Sequence, residues 1–133
     1  MQKRVVAQNP YESAARFRAE LRRFLRRSED AARRHGVTPR QHLLLLQIAG
    51  AEGGQTTVSE LVGTLALTQS AVTELVQRAE AAGLVQRAGS QEDGRIVHLS
   101  LTPEGRAKLG AVHGSLGPER VHLREVMDAL GDE

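Results

Sequence analysis

The sequence predicts a mainly α fold that carries one small β-hairpin, and three observations lead to this prediction. Along much of the 133-residue chain, apolar side chains recur at three- and four-residue spacing, as in amphipathic helices. Residues 84–101 instead form two strand-like runs around an Asp-Gly turn signal, which is typical of a hairpin. Two short helical patterns joined by a two-residue turn directly precede this hairpin.

The first helix is predicted over residues 11–35. Its apolar side chains form one stripe, whereas its other faces carry eight arginines, several of them at spacings that allow pairing with glutamate or aspartate. A helix with a single apolar stripe needs another surface to cover that stripe, and a second subunit is the natural source. The stripe consists of Ala14, Phe17, Leu21, Phe24, Leu25 and Ala32.

The second helix is predicted to begin after Gly36 has ended the first. Thr38 can cap the new helix, and Pro39 suits its first position. Residues 40–49 are apolar almost all round. This composition predicts a helix that is buried at the centre of the fold.

The third and fourth helices form the predicted helix-turn-helix. Thr57, followed three residues later by Glu60, predicts a capping box at the start of the third helix. Ala66 and Leu67 make the turn, and Thr68 caps the fourth helix. The third helix is expected to bury Val58, Leu61, Val62 and Leu65, and the fourth to bury Val72, Leu75, Val76 and Ala79.

The hairpin and two further helices complete the chain. Gly83 stops the fourth helix, and strands follow at residues 84–88 and 95–101. The return strand alternates, with Val97, Leu99 and Leu101 on one face. A helix is then predicted from the cap at Thr102 to about residue 113. After a break at 114–118, a last helix is predicted over residues 118–130. The last helix is expected to bury Leu123, Val126, Met127 and Leu130.

A helix, a turn, a second helix and a hairpin in this order make a winged helix-turn-helix, which places one helix in the DNA major groove. Gln69 can bond an adenine twice, Thr73 can offer its methyl group to thymine, and Ser70 can bind a base or a phosphate. Glu74 repels phosphate, so it is useful only by accepting from a cytosine amine or by orienting a neighbouring arginine. On this helix alone, an ordinary solvated face is an equal alternative. The predicted DNA contacts on the helix are Gln69, Ser70, Thr73, Glu74, Gln77 and Arg78.

The hairpin favours the DNA interpretation. Arg95 lies near its tip, from which an arginine can enter a narrow minor groove, and Asp93 can orient the guanidinium. Arg87, on the first strand, is placed to touch a phosphate. An Asp-Gly-Arg turn on its own is most simply a soluble hairpin. Because this turn follows a helix-turn-helix, binding to DNA is the preferred interpretation.

Residues 38–105 resemble the MarR family of bacterial transcriptional regulators. The similar stretches cover about half of the chain and lie at the second helix, the start and end of the fourth helix, the hairpin turn and the return strand. They are Thr38-Pro39-Arg40-Gln41 with Leu43 and Leu46, Gln69-Ser70-Ala71-Val72-Thr73, Glu80-Ala81-Ala82-Gly83-Leu84-Val85, Asp93-Gly94-Arg95, and Leu99-Ser100-Leu101-Thr102-Pro103-Glu104-Gly105.

The resemblance implies an obligate homodimer joined by its first and last two helices, bound to a pseudo-palindromic operator in double-stranded DNA. It implies a repressor that a small anionic or phenolic effector releases. Residues 1–35 would be a dimerisation helix, 36–102 the DNA-binding region and 103–133 the C-terminal dimerisation helices, all in one compact domain. Glu74 departs from the family, which often has a basic residue there, and Gly94 replaces a frequent arginine. The expected dimer contacts are Phe17, Leu21, Leu25, Leu123, Val126, Met127 and Leu130.

Composition narrows the class of protein further. The net charge of +2 is too small to indicate nucleic-acid binding by itself. Because the chain has no cysteine, it can form neither a disulfide nor a thiolate metal site. No signal peptide and no apolar run of membrane-spanning length is found, so a cytoplasmic protein without membrane contact is expected.

Catalysis and metal binding are not expected. The five histidines lack the spacing of a helical metal site, and scattered structural or surface residues explain them better. The sequence has no nucleophile elbow, phosphate loop or carboxylate pair. We therefore expect no enzyme activity, no cofactor and no metal. The alternative to a DNA-binding regulator is a winged-helix module that binds protein, which Glu74 and the modest net charge favour slightly.

Overall fold

The computed structural model describes residues 9–89 and 95–131, and the predicted mainly α fold with a small β element is confirmed. Six α-helices and three short strands lie within these residues. A single 3-10 turn, Glu52–Gly54, leads from the second helix into the first strand. The elements are α1 Pro10–Arg34, α2 Pro39–Gly50, β1 Gln55–Thr56, α3 Val58–Leu65, α4 Gln69–Ala81, β2 Val85–Gly89, β3 Val97–Leu101, α5 Pro103–Ser115 and α6 Gly117–Leu130.

Threonine caps fix the starts of four helices. In each case the hydroxyl oxygen accepts a bond from the backbone N–H three residues on, which is otherwise unpaired in the first turn. The caps are Thr38 at α2, Thr57 at α3, Thr68 at α4 and Thr102 at α5.

The capping box forms at α2 and not at α3. At α2, Gln41 Oε1 accepts from the backbone N–H of Thr38 at 3.0 Å, which completes the reciprocal pair. At α3 the Thr57 hydroxyl accepts from the Glu60 N–H as predicted, but the predicted return bond from the Thr57 N–H to the Glu60 side chain is wrong. The Glu60 carboxylate instead accepts from the hydroxyl of Thr56 at 2.7 Å, because β1 brings that threonine within reach.

Helix α2 lies at the centre of the fold and contacts α1, α3, α4, α5, β1 and β3. Leu44, Leu45 and Ile48 are fully buried there. The predicted central position of α2 is confirmed, but its predicted burial is only partial, since Leu43 and Leu46 are 47% and 41% exposed. The neighbours of α2 cover one side of the helix and leave these two leucines on the other.

The sheet has three strands in the order β1-β3-β2, all antiparallel, where the sequence predicted only a hairpin. In the hairpin, Val85 faces Leu101 and Gly89 faces Val97. Strand β1 adds a short edge by pairing Gln55 with Ser100 and Thr56 with Leu99. Two residues are too few to show an alternating pattern, so sequence periodicity could not reveal this strand.

The two C-terminal helices are nearly continuous. Helix α5 runs to Ser115 and α6 starts at Gly117, so the predicted break at 114–118 narrows to Leu116, which is buried in the core. Helix α6 packs along α1. Its predicted burial is wrong for Met127, which is 44% exposed; Val126 is buried, while Leu123 and Leu130 are half-buried. The chain by itself therefore leaves part of the α6 apolar surface uncovered.

Candidate nucleic-acid interface

The turn between α3 and α4 sets the direction of α4. Ala66 adopts the left-handed region, with φ 53°, immediately after α3 ends at Leu65. Two residues later Thr68 begins α4, and its hydroxyl accepts from the backbone N–H of Ala71 at 3.1 Å. Alanine rarely takes this conformation, so the packing of the two helices must hold it.

Helix α4 is packed on one face and open on the other. The predicted inward residues Val72, Leu75, Val76 and Ala79 are all buried, which confirms the helical periodicity read from the sequence. The opposite face meets solvent over the full length of the helix. There Gln69, Ser70, Glu74, Gln77 and Arg78 are exposed and Thr73 is half-buried.

Glu74 and Arg78 form an ion pair on this exposed face. Arg78 Nη2 lies 2.7 Å from Glu74 Oε1, one helical turn away. Among the roles that the sequence left open for Glu74, orienting a neighbouring arginine is the one whose geometry is present. The pair also offsets the negative charge that makes a lone glutamate unfavourable near phosphate.

Arg40 lies beside this pair, which the sequence did not predict. A shallow depression of about 150 Å³ is lined by Arg40 from the first turn of α2 and by residues of α4 that include Glu74 and Arg78. A cation in the first turn of a helix opposes the helix dipole. This unfavourable placement is the signal by which the sequence could have drawn attention to Arg40.

The hairpin is tied to α4 by a second ion pair. Arg87 Nε on β2 lies 2.7 Å from Glu80 Oε1, near the end of α4. The predicted phosphate contact at Arg87 therefore comes with a carboxylate partner that sequence reasoning missed. Arg95 is exposed in the turn before β3, whereas Asp93, its predicted partner, lies outside the described residues.

The base of the hairpin is fixed by three contacts that Thr102, the cap of α5, and Gly105 make to the backbone of Gly83 and Leu84. The Thr102 hydroxyl donates to the Gly83 carbonyl at 2.6 Å, and the Thr102 N–H donates to the Leu84 carbonyl at 3.1 Å. Gly105, in the first turn of α5, packs directly on the backbone of Leu84. Helix α5 and the hairpin thus share one rigid junction.

A cavity of about 480 Å³ lies between α1 and α2. His42 is 5% exposed beneath it, and burial, followed by the neighbouring charge of His113, lowers the pKa of His42 from its ordinary value of 6.5. The lining mixes apolar side chains with two arginines and one carboxylate. It consists of Leu25, Ser28, Glu29, Arg33, Pro39, Arg40, His42 and Leu43.

The predicted dimer contacts lie on α1 and α6. Phe17 is 38%, Leu25 49% and Met127 44% exposed, and a groove of about 400 Å³ runs between Phe17 and Met127. Leu21, Leu123 and Leu130 are half-buried, and Val126 is buried within the chain. An ion pair between Arg27 and Glu119 at 3.3 Å and a hydrogen bond between His122 Nε2 and Glu20 Oε2 at 3.0 Å join the helices beside this surface.

Metal ligands and membrane spans are absent from the described part of the chain. Within residues 9–89 and 95–131, no group of three or more His, Asp or Glu side chains could hold a metal ion. None of the helices described there is both long enough and apolar enough to cross a membrane.

Comparison with known proteins confirms the resemblance seen in the sequence. A family model described as MarR family matches residues 35–96. The uncharacterized HTH-type transcriptional regulator YsmB of Bacillus subtilis is 27% identical over 128 residues, which cover 93% of this chain and 84% of YsmB. The HTH-type transcriptional repressor MdtR of Bacillus subtilis is 34% identical over 83 residues, 62% of this chain and 52% of MdtR, so the chain spans about half of that relative.

Solved structures agree with the fold. A MarR mutant from E. coli complexed with operator DNA superimposes with a TM-score of 0.68 and 22% sequence identity, covering 83% of this chain and 78% of MarR. This identity supports the winged-helix fold alone. The two relatives named above are an HTH-type transcriptional regulator and an HTH-type transcriptional repressor.

Proposed function

We propose that this chain, whose residues 35–96 place it in the MarR family, binds a pseudo-palindromic operator as a homodimer and represses transcription until a small ligand releases it. The observation that carries the proposal is α4, whose apolar face is buried while its polar face is open from Gln69 to Arg78. A helix held in this way can enter a major groove without disturbing the core. The complex of the similar MarR with operator DNA supports the same use of the fold.

The exposed residues of α4 and the hairpin divide into base and phosphate contacts. Gln69 and Thr73 suit adenine and the thymine methyl group, and Ser70 suits a base or a phosphate. Arg95 reaches a narrow minor groove beside the helix. Arg87, oriented by Glu80, supplies a phosphate contact.

The homodimer is supported by the surface that α1 and α6 leave open. Phe17 and Met127 flank an apolar groove, and Leu25 is half-exposed on the same helix as Phe17. Covering such side chains removes apolar area from water, which is the main favourable term in stable association. A second copy brings a second α4, so that two helices reach two half-sites.

Release by a ligand is supported by the cavity between α1 and α2. Leu25, Pro39 and Leu43 offer apolar contacts, and Arg33 and Arg40 outnumber the one carboxylate, Glu29, so the lining carries a net positive charge. This lining suits a small aromatic carboxylate. The cavity joins a proposed dimerisation helix to α2, against which α4 packs, so a ligand there can change the spacing of the two DNA-binding units.

The proposed function is tested with duplex DNA that flanks the protein's own gene. We expect sequence-specific binding that weakens by on the order of a thousandfold between about 50 and 200 mM salt, because several phosphates are neutralised. Arg95→Ala should weaken binding without unfolding the protein, and unchanged affinity would remove the hairpin from the mechanism. Binding that shows no preference for any duplex would instead favour the protein-interaction module.

Ligand release has its own test. Benzoate, a simple aromatic carboxylate, should dissociate the complex with DNA, and Leu43→Trp should block this effect by filling the cavity. Since Leu43 lies outside the proposed DNA contacts, the variant should still bind the operator. Equal release from both proteins would exclude this cavity as the ligand site.

A further inference from the structure

Glu74 places a carboxylate on the surface that must approach a polyanion. Its partner is Arg78, with 2.7 Å between Oε1 and Nη2, and the two side chains are 62% and 73% exposed. An exposed pair of this kind contributes little to folding stability. The main effect of the pair is therefore on the orientation of the Arg78 side chain and not on the stability of the fold.

The pair restricts the guanidinium of Arg78. An arginine head group carries five N–H donors in one plane, and a free side chain samples many orientations of that plane. Glu74 Oε1 engages one of the two Nη2 hydrogens, and the other Nη2 hydrogen still lies beside a hydrogen of Nε or of Nη1. Arg78 can therefore present a planar, two-donor edge to a partner with two acceptors, and the entropy cost of ordering it is partly met before binding.

Charge distinguishes the possible partners of that edge. A phosphate beside Arg78 would also lie near the Glu74 carboxylate and be repelled, whereas a base edge carries no net charge. In the major groove, guanine presents two acceptors, O6 and N7, that match a bidentate arginine. Arg40 lines the same depression but forms no ion pair within the described part of the chain, so its guanidinium is not bonded to a carboxylate as that of Arg78 is, and it suits a phosphate better than Arg78 does.

We infer that Glu74 is a positioning residue that holds Arg78 to read a guanine in the major groove of each operator half-site. This inference rests on the proposed DNA-binding function and adds its sequence preference.

The test is selection from a pool of randomised DNA duplexes, followed by affinity measurements on the selected site. The wild-type protein should enrich a palindrome with a fixed guanine, and replacing that guanine by adenine should weaken binding about tenfold or more. Arg78→Lys and Glu74→Ala should each lose this preference while the rest of the selected sequence is retained. In an Arg78→Ala background, Glu74→Ala should have no further effect on the preference.

Two independent measurements separate positioning from a general electrostatic effect. Glu74→Ala removes a negative charge, so it should bind random duplexes at least as tightly as the wild type does. Arg40→Ala, the matched control, should weaken binding to every duplex alike. It should also lower by about one the number of counterions released on binding, as read from the slope of log affinity against log salt. All three side chains are exposed, so circular dichroism melting should show intact folds.

Three outcomes would overturn the inference. A Glu74→Ala protein that keeps the full guanine preference would show that Arg78 needs no positioning. An Arg78→Lys protein that loses affinity equally for all sequences would make Arg78 a phosphate contact. If the wild-type protein enriches no sequence, the proposed function itself fails, which is a different result from an enriched site that does not depend on Arg78.

Discussion

His42 is an ionisable residue placed in the helix at the centre of the fold. Burial lowers its pKa from 6.5, and the charge of His113 on α5 lowers it further; Glu29, Arg33 and Arg40 line the cavity above it. A lowered pKa means that the unfolded chain takes up a proton at a higher pH than the folded protein does. The stability that neutral His42 allows is therefore complete above about pH 6.5 and is lost as pH falls through the folded-state pKa.

This linkage predicts an acid-sensitive fold in mildly acidic solution. The melting temperature of the wild type should fall between about pH 7.5 and pH 5.5, a range in which histidine titrates. Each unit by which the pKa is lowered corresponds to about 1.4 kcal/mol of unfolding free energy. His42→Leu removes the titration and should show a smaller fall, as measured by calorimetry. An equal fall in both proteins would assign the sensitivity to other groups.

Gly105 is fixed by a close approach of two backbones. A Cβ built at this position would overlap the Leu84 carbonyl oxygen, and a backbone atom cannot rotate away as a side chain can. Gly105→Ala should therefore lower the unfolding free energy by about 1–3 kcal/mol in urea, although alanine is the better helix former. Gly110→Ala, in the same helix, has nothing within 4 Å of its Cβ and should stabilise by up to about 1 kcal/mol. Equal effects at both positions would contradict the close approach.

At the scale of elements, periodicity explains what could be predicted. The buried stripe of α4 and the caps at Thr38, Thr57 and Thr68 depend on neighbours within one or two helical turns, and the sequence showed them all. The Glu74–Arg78 pair also lies within one turn. Local patterns of this kind do not need knowledge of the tertiary structure.

The features that the sequence missed depend on contacts between distant segments. Strand β1 forms only because β3 offers it a partner 43 residues later, from Thr56 to Leu99. Glu80 becomes the partner of Arg87 because the hairpin folds back on α4. Leu43 and Leu46 stay exposed because the neighbours of α2 cover only its other side, which composition alone cannot show. Tertiary packing decided each of these cases.

The Glu80–Arg87 pair predicts how the hairpin contributes to DNA affinity. Both side chains are partly exposed, so Arg87→Ala should change the unfolding free energy by less than about 1 kcal/mol. If Arg87 neutralises a phosphate, the slope of log affinity against log salt should fall by about 0.9. Fluorescence anisotropy on a labelled duplex measures this slope. Gln86→Ala, one residue earlier and hydrogen-bonded to Ser100, should leave it unchanged; a similar slope in all three proteins would exclude the contact.

At the scale of the whole molecule, the proposed dimer determines whether two copies of α4 can act together. The spacing needed is about 34 Å, one turn of DNA. Rigid links connect α4 to the proposed dimer surface through the junction of Thr102 and Gly105 with the hairpin base, and through the packing of α5 on α6. A change at the dimer surface can therefore reach the DNA-binding unit without passing through a flexible linker.

This arrangement predicts that dimerisation and DNA binding are lost together. Phe17→Arg combined with Met127→Arg places charge on both sides of the apolar groove, and ultracentrifugation should show a dimer become a monomer. Operator affinity should fall by on the order of a hundredfold or more. In the dimer, binding of one α4 to its half-site raises the local concentration of the second α4 at the other half-site, and a monomer loses this advantage. The added positive charge would by itself strengthen DNA binding, so charge cannot explain a loss. Leu46→Arg, at a comparably exposed leucine on α2, should remain dimeric; a monomeric wild type, or a monomeric variant with full affinity, would contradict the proposed assembly.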